Sequence, residues 1–409
     1  MSVVMDLREV IYALSDALDL VGIDDIAHGK RVGIMAAECA RVLGLPAAER
    51  TRLFDLGLLH DIGVSSTRVH RELVGQFDWE GAQEHCRVGA ERLAAFEPLA
   101  ALAPMVRYHH THWLHLPATL DAECAQWTNL IYLVDRVDAL AAPYYGDDHL
   151  LPQVAQLRAA IAQHAGEAFC PDLVEVFMAA SAAEAFWLQL EARSIEGYML
   201  DMRAGGTPYQ ASLAELRALA AIFSRIVDAK SPFTAEHSLG VARLARFLAE
   251  TLGISREHCD KLEIAGLLHD LGKLRVPDEI LDKPGQLEAQ ERLIINTHSF
   301  ETYRILRRIP GFEEIAPWAA YHHEEPGGGG YPFRIDASVL PIEARILRVA
   351  DIFQAMVQDR PYRAGLAATQ AFEFIEALRR QGRVDAEVVV VLGTRLDEAY
   401  RLARPAAMA

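Results

Sequence analysis

At 409 residues the chain is too long for one ordinary core, and a prior of about 150 residues per domain gives two or three. A hydrophobic fraction of 51% with 24% charged residues excludes disorder as the main state, and a formal charge of -17 argues against a broad surface for polymeric DNA or RNA. No run of about 18 uncharged apolar residues occurs, and the first residues lack a secretory signal pattern, so no membrane span is expected and the reading is cytoplasmic. Cys39, Cys86, Cys124, Cys170 and Cys259 are odd in number and show no C-x-x-C spacing, which reads as small core residues and not as a disulfide framework.

In chain order, residues 1–200 carry apolar residues at three and four spacing, as in Leu173 to Leu200, with a first loop at Gly44 to Pro46. Arg203-Ala-Gly-Gly-Thr-Pro208 then joins glycines and a proline between two helical patterns and marks a linker over 201–214. The second domain, 215–409, opens on the helical stretch Leu213 to Leu252 and is punctuated at Pro277, at Pro284-Gly285 and at Glu325-Pro-Gly-Gly-Gly-Gly-Tyr-Pro332. Strict alternation is rare, so the fold class is all-α.

The two domains repeat one pattern. Gly57-Leu-Leu-His-Asp-Ile-Gly63 returns as Gly266-Leu-Leu-His-Asp-Leu-Gly272, and His28 and His60 match His237 and His269 at one common offset of 209 residues. Downstream, His85 pairs with His298, Tyr108-His109-His110 with Tyr321-His322-His323, and Asp135 with Asp351. Ten of sixteen histidines fall into these two ordered sets, and simple packing would use apolar residues in place of so many desolvated imidazoles.

Five imidazoles and two carboxylates exceed a four-ligand structural zinc site and suit a binuclear centre in each domain. In the second domain His237, His269 and Asp351 are assigned to one metal and His298, His322 and His323 to the other, with Asp270 bridging. His28, His60, Asp61, His85, His109, His110 and Asp135 form the corresponding first set. Nitrogen-rich ligation favours iron, manganese or zinc over magnesium or calcium. Two such metals clamp a phosphoester and activate a bridging hydroxide, so phosphoester hydrolysis is the natural chemistry, with Lys273 one turn beyond His269-Asp270 placed to meet substrate phosphate.

At His269-Asp270-Leu-Gly-Lys273, His298, His322-His323-Glu324 and Gly328-Gly-Gly-Tyr331-Pro332 the chain resembles the HD-GYP phosphodiesterases of bacterial cyclic dinucleotide signalling, over about residues 215 to 400. The resemblance implies a helical metal-dependent fold, an iron or manganese centre, and hydrolysis of cyclic di-GMP or 3',3'-cyclic GMP-AMP by the second domain. It further implies a base or ribose contact for Tyr331 and phosphate contacts for Arg360 and Arg363, a task suited to a guanidinium fork. Gly327 stands where the family usually has Asp, leaving four glycines that predict a more mobile loop. Phe233 stands where three-metal members carry a carboxylate, which predicts two metals, and Glu236 is not counted as a ligand.

The first domain keeps every ligand and loses what would meet the substrate. Val64 replaces Lys273, Thr111-His-Trp-Leu-His-Leu-Pro117 replaces the Gly-Tyr-Pro loop, and Ala142-Pro-Tyr-Tyr145 replaces Arg360-Pro-Tyr-Arg363. It resembles a plain HD domain, read as regulatory or as the dimerising element of a homodimer, or as a phosphomonoesterase acting on the linear product; an oxidative di-iron role is a further option. His112 and His115 are read as surface residues or as supports behind the ligands. A metal-stabilised cyclic dinucleotide-binding scaffold without turnover is the competing class, disfavoured by Lys273, Arg360 and Arg363.

Overall fold

The computed structural model describes residues 5–22, 27–145, 149–204, 210–230, 237–359 and 364–404. Arg360 and Arg363, with Phe233 and Glu236, lie outside them. The regular elements of the described residues are helices apart from a two-residue antiparallel pair, Met5–Asp6 with Gln210–Ala211, and an isolated bridge of Ala165 with Phe169, and none of these helices is long and apolar enough to cross a membrane.

Contacts divide the chain into two compact units, Leu18–Pro208 and Met1–Ala17 with Tyr209–Ala409. The N-terminal segment groups with the second half and not with the residues that follow it. Backbone pairing of Met5 with Ala211 and an ion pair from Arg308 to Asp16 at 3.1 Å hold it there, and neither leaves a signature in hydrophobic periodicity.

In the first unit the order is His28–Val42, Ala47–Leu59, Ala82–Ala94, Ala103–Tyr108 and Ala122–Ala141, with shorter helices between and further helices after. The second unit runs His237–Thr251, Arg256–Leu268, Ala289–Leu306, Ile315–Ala320 and Ile342–Val357 in the same sequence. The last helix of each series is the core element. Residues Leu130 to Asp138 are all buried, as are Ile346 to Ala350, which is what a helix surrounded by others requires. Starts are capped locally: Ser255 accepts from the His258 amide, Asp121 from Cys124, and Ser212 forms a reciprocal box with Glu215.

The glycines of the repeated motif explain its spacing. A Cβ on Gly57 would lie 2.5 Å from the Gly33 Cα, and one on Gly266 would lie 2.8 Å from the Ala242 Cα, so the first glycine lets two helices touch through backbone. The second glycine packs against the carbonyl of the third histidine: a Cβ on Gly63 would stand 1.9 Å from His85 O, and one on Gly272 would stand 2.1 Å from His298 O. Three segments distant in sequence are thereby drawn onto one point.

Candidate metal centres

In the second unit His237 opens its helix, His269 and Asp270 follow the end of the next, His298 lies within Ala289–Leu306, His322 and His323 follow Ile315–Ala320, and Asp351 lies within the core helix. Asp270 sits between two groups. Its Oδ2 is 3.6 Å from His237 Nε2 and 3.2 Å from His269 Nε2, while its Oδ1 is 3.5 Å from His298 Nε2 and 3.8 Å from His322 Nε2. Asp351 Oδ1 closes the first group at 3.3 Å from His237 Nε2 and 3.9 Å from His269 Nε2. Donor atoms of His237, His269 and Asp351 gather as one set and those of His298, His322 and His323 as another.

The first unit repeats this geometry. Asp61 Oδ2 faces His28 and His60 at 3.8 and 3.6 Å, its Oδ1 faces His85 and His109 at 3.2 and 3.6 Å, and Asp135 Oδ1 lies 3.3 Å from His28 Nε2. His110 joins Asp61, His85 and His109 in a set of four.

The residues present fit divalent metals in both units. His60 Nε2, Asp61 Oδ1, His269 Nε2 and Asp270 Oδ1 are buried without a hydrogen-bond partner, and the same two atoms recur in each half. A buried polar atom without a partner calls for an explanation, and a cation taken up between histidine and carboxylate donors is one. The other ring nitrogen of the imidazoles is fixed by backbone: His60 donates to Gly57 O at 2.7 Å, His109 to Val106 O at 2.7 Å, His269 to Gly266 O at 2.8 Å, His298 to Ile295 O at 2.7 Å and His322 to Ala319 O at 2.6 Å. That tautomer turns the Nε2 lone pairs inward.

Charge follows the geometry. Burial and the neighbouring imidazoles hold His322 and His323 well below the usual imidazole range, so both are neutral donors. Burial alone would raise the Asp270 carboxyl, but His269, Lys273 and His298 overcome it and keep it ionised, well below the usual carboxylate range. Lys273 Nζ lies 2.5 Å from Asp270 Oδ2, so its charge already sits at the Asp270 carboxylate. Tyr331 stacks on His323, centroids 4.7 Å apart at 26°.

Several supports carried no role in the sequence reading. Glu324 accepts from the amides of Phe333, Arg334 and Ile335, which fixes the chain just beyond Tyr331. The four-glycine stretch is bounded by further ties: Gly328 N donates to Glu325 O, Tyr331 N to His323 O, and Glu325 pairs with Arg348 and Arg383. Thr302 Oγ1 accepts from Gly272 N and donates to His269 O. Asp228 accepts from Ser238 beside the first ligand of its unit, and Asp19 accepts from Gly29 at the same place in the other. Behind the first histidine, His237 Nδ1 donates to the neutral Gln354 at 2.5 Å, whereas His28 Nδ1 donates at 2.8 Å to Asp138, which also takes Arg31. The offset shared by Asp19 and Asp228 equals that of His28 and His237, a signal the sequence offered. His112 pairs with Asp78 at 3.0 Å and stacks on Tyr132, whose ring contacts that of His110.

Residues 25–142 and 221–388 each match an HD domain family. The 3'3'-cGAMP-specific phosphodiesterase 1 of Vibrio cholerae is 35% identical over 405 residues, covering 97% of this chain and 94% of that one. The chain belongs to the HD-GYP family of cyclic dinucleotide phosphodiesterases. Among solved structures, a cyclic GMP-AMP specific phosphodiesterase of Vibrio cholerae superposes on this HD-GYP protein with a TM-score of 0.67 and 25% identity, covering 96% of this chain and 98% of that one. A cyclic di-GMP phosphodiesterase of Thermotoga maritima is 34% identical over 194 residues, 47% of this chain and 51% of that one.

Proposed function

We propose that the second unit hydrolyses 3',3'-cyclic GMP-AMP, opening the ring at one phosphodiester. The observation that carries the reading is Asp270, with one oxygen turned to each of two histidine groups and Lys273 lying on it. The preference for the mixed dinucleotide over cyclic di-GMP draws on the relationship across nearly the whole chain to a 3'3'-cGAMP-specific enzyme.

His237, His269 and Asp351 would hold one divalent metal and His298, His322 and His323 the other, with iron or manganese as the favoured ions. When bound, such a pair supplies a hydroxide at neutral pH and a clamp on phosphate oxygens. The chain's own contributions are separable from that chemistry. Asp270 holds its two oxygens toward both groups, and Lys273 offers positive charge where negative charge grows on the phosphate. Glu324, by fixing the backbone of residues 333–335, sets the position of Tyr331 against His323, where the ring can wall a base or ribose. Arg360 and Arg363 remain the candidates for the second phosphate. The first unit, with Val64 buried where Lys273 stands in the other half, has no counterpart for that charge.

The test is incubation of manganese- or iron-loaded protein with 3',3'-cyclic GMP-AMP and cyclic di-GMP separately, with products resolved chromatographically. Faster opening of the mixed dinucleotide supports the reading. A preference for cyclic di-GMP overturns the specificity, and binding of both without cleavage overturns the hydrolysis.

A further inference from the structure

We propose that Cys86 supplies a thiolate to the metal centre of the first unit, making it a mixed nitrogen, oxygen and sulfur site unlike the one in the second. The inference rests on the reading that the first unit holds metal. Cys86 Sγ lies 3.7 Å from His85 Nε2 and 4.0 Å from His109 Nε2, and those nitrogens are 3.2 Å apart. Asp61 Oδ1 is 3.2 Å from the first nitrogen and 3.6 Å from the second. Donors held about 2.0–2.3 Å from a tetrahedral zinc ion are separated by roughly 3.3–3.8 Å, so the sulfur stands close to the edge length of the same shell.

Two further observations point to a ligand. His60 Nε2 is fully buried without a hydrogen-bond partner; it gathers with His28 and Asp61, and its ring lies 5.3 Å from that of His109. The hydrogen-bond pattern around His85 is also rearranged relative to its counterpart. His298 Nδ1 donates to the Ile295 carbonyl, but the equivalent carbonyl of Ala82 takes the Cys86 thiol at 3.2 Å, and His85 Nδ1 is left buried without a partner. The thiol thus lies between its own helix's carbonyl and the Nε2 atoms of His85 and His109. At the matching position the second unit has Ser299, whose hydroxyl lies 3.2 Å from His298 Nε2 and is a far weaker donor to a divalent ion than a thiolate.

The consequence is a difference in metal preference. Thiolate favours zinc and iron over manganese, while a site of imidazole and carboxylate alone discriminates less. The first unit should therefore take zinc from a zinc and manganese mixture ahead of the second.

The experiment uses the full chain loaded with cobalt(II), comparing the parent with Cys86→Ser, Cys124→Ser, and a variant carrying both His60→Ala and Asp61→Ala. Cys86→Ser installs the side chain the second unit already carries there. A sulfur-to-cobalt charge-transfer band is expected in the parent and in Cys124→Ser, and its loss in the other two. Cys86→Ser should also lower zinc affinity at the first site by at least about tenfold. If the His60→Ala, Asp61→Ala variant loses metal but the parent shows no sulfur band, Cys86 is not a ligand although the first site is real. If that variant keeps the parental metal content, the first site fails and the thiolate with it. Should Cys86→Ser not fold, zinc-edge X-ray absorption of the parent decides the matter. A sulfur neighbour at about 2.3 Å, absent from the His60→Ala, Asp61→Ala protein, supports the ligand, and its absence from the parent overturns it.

Discussion

Gly272 lies against the carbonyl oxygen of His298 so closely that a Cβ would stand 2.1 Å from it, and Gly63 repeats the relationship with His85 at 1.9 Å. A backbone carbonyl cannot give way as a flexible side chain can, so any other residue there must displace the segment carrying the third histidine. Gly272→Ala should destabilise the fold by about 1–3 kcal/mol and weaken metal retention in the second unit. Thermal melting and metal content of the purified variant check this; parental values for both would show that the approach is not constraining.

Removing the bridge has a larger effect. Asp270→Ala or His269→Ala should abolish cyclic dinucleotide cleavage and lower metal content while the helical signal in circular dichroism persists. Lys273→Ala should behave differently, keeping its metals and losing about 10²–10³ in kcat, because it acts on phosphate charge and not on coordination. An emptied site in Lys273→Ala would refute that division of roles.

Much of this site was legible from the chain because the ligands obey fixed spacings twice over. The donor atoms of His237, His269 and Asp351 gather, as do those of His298, His322 and His323, and a further group joins His269, Asp270 and His322 across them. The supports were harder to read. Asp138 and Gln354 occupy matching positions three residues after Asp135 and Asp351, but one is charged and the other neutral, so residue identity gave no match. Thr302 has Gly89 as its counterpart, and its role depends on a backbone amide and a carbonyl brought together only by folding. The attachment of the N-terminal segment to the second unit is likewise a backbone event.

The contrast between Asp138 and Gln354 predicts a difference in ligand strength. An anionic partner behind His28 raises the electron density that imidazole offers a metal, and the neutral amide behind His237 does so less. Asp138→Asn should therefore weaken metal binding in the first unit by about 10–100-fold, while Gln354→Glu should tighten it in the second. Competition with a chelator, read for each variant, checks both directions.

Metal uptake by the second unit should depend on pH. Burial lowers the His269 imidazole, but Asp270 and Asp351 outweigh it and carry the group up to about 8. Only the neutral ring can ligate, so the proton present at pH 7 must leave when metal enters. For the metal-free protein the raised value means that the stabilisation from this charged pair is complete below the unfolded pKa of about 6.5 and is lost as pH rises through 8. Metal affinity has the opposite sense, increasing up to about pH 8 and levelling above it. His298, pushed down to about 4 mainly by burial, adds no dependence in that range. Calorimetric titrations of the His60→Ala, Asp61→Ala protein in buffers of different ionisation enthalpy should show more protons released per metal at pH 7 than above pH 8.5; equal release at the two pH values would contradict it.

The same double variant tests what the first unit contributes. Its histidines and aspartates match those of the second unit, but Val64 is buried where the second unit has Lys273, and no Gly-Tyr-Pro loop follows His110. Ring opening should therefore proceed at the parental rate when His60 and Asp61 are both replaced, since every residue assigned to that step belongs to the second unit. Melting temperature should fall, because a metal that binds only the folded state stabilises it by mass action. The linear product of ring opening carries a terminal phosphate, and a metal pair in a smaller pocket can remove such a group. Phosphate release from that product distinguishes the two roles left to the first unit. Release that falls in the variant assigns it a phosphomonoesterase step, whereas parental release beside a lowered melting temperature assigns it a structural or assembly role. Loss of ring opening itself would mean that the first centre takes part in the cleavage and that the division between the two units is wrong.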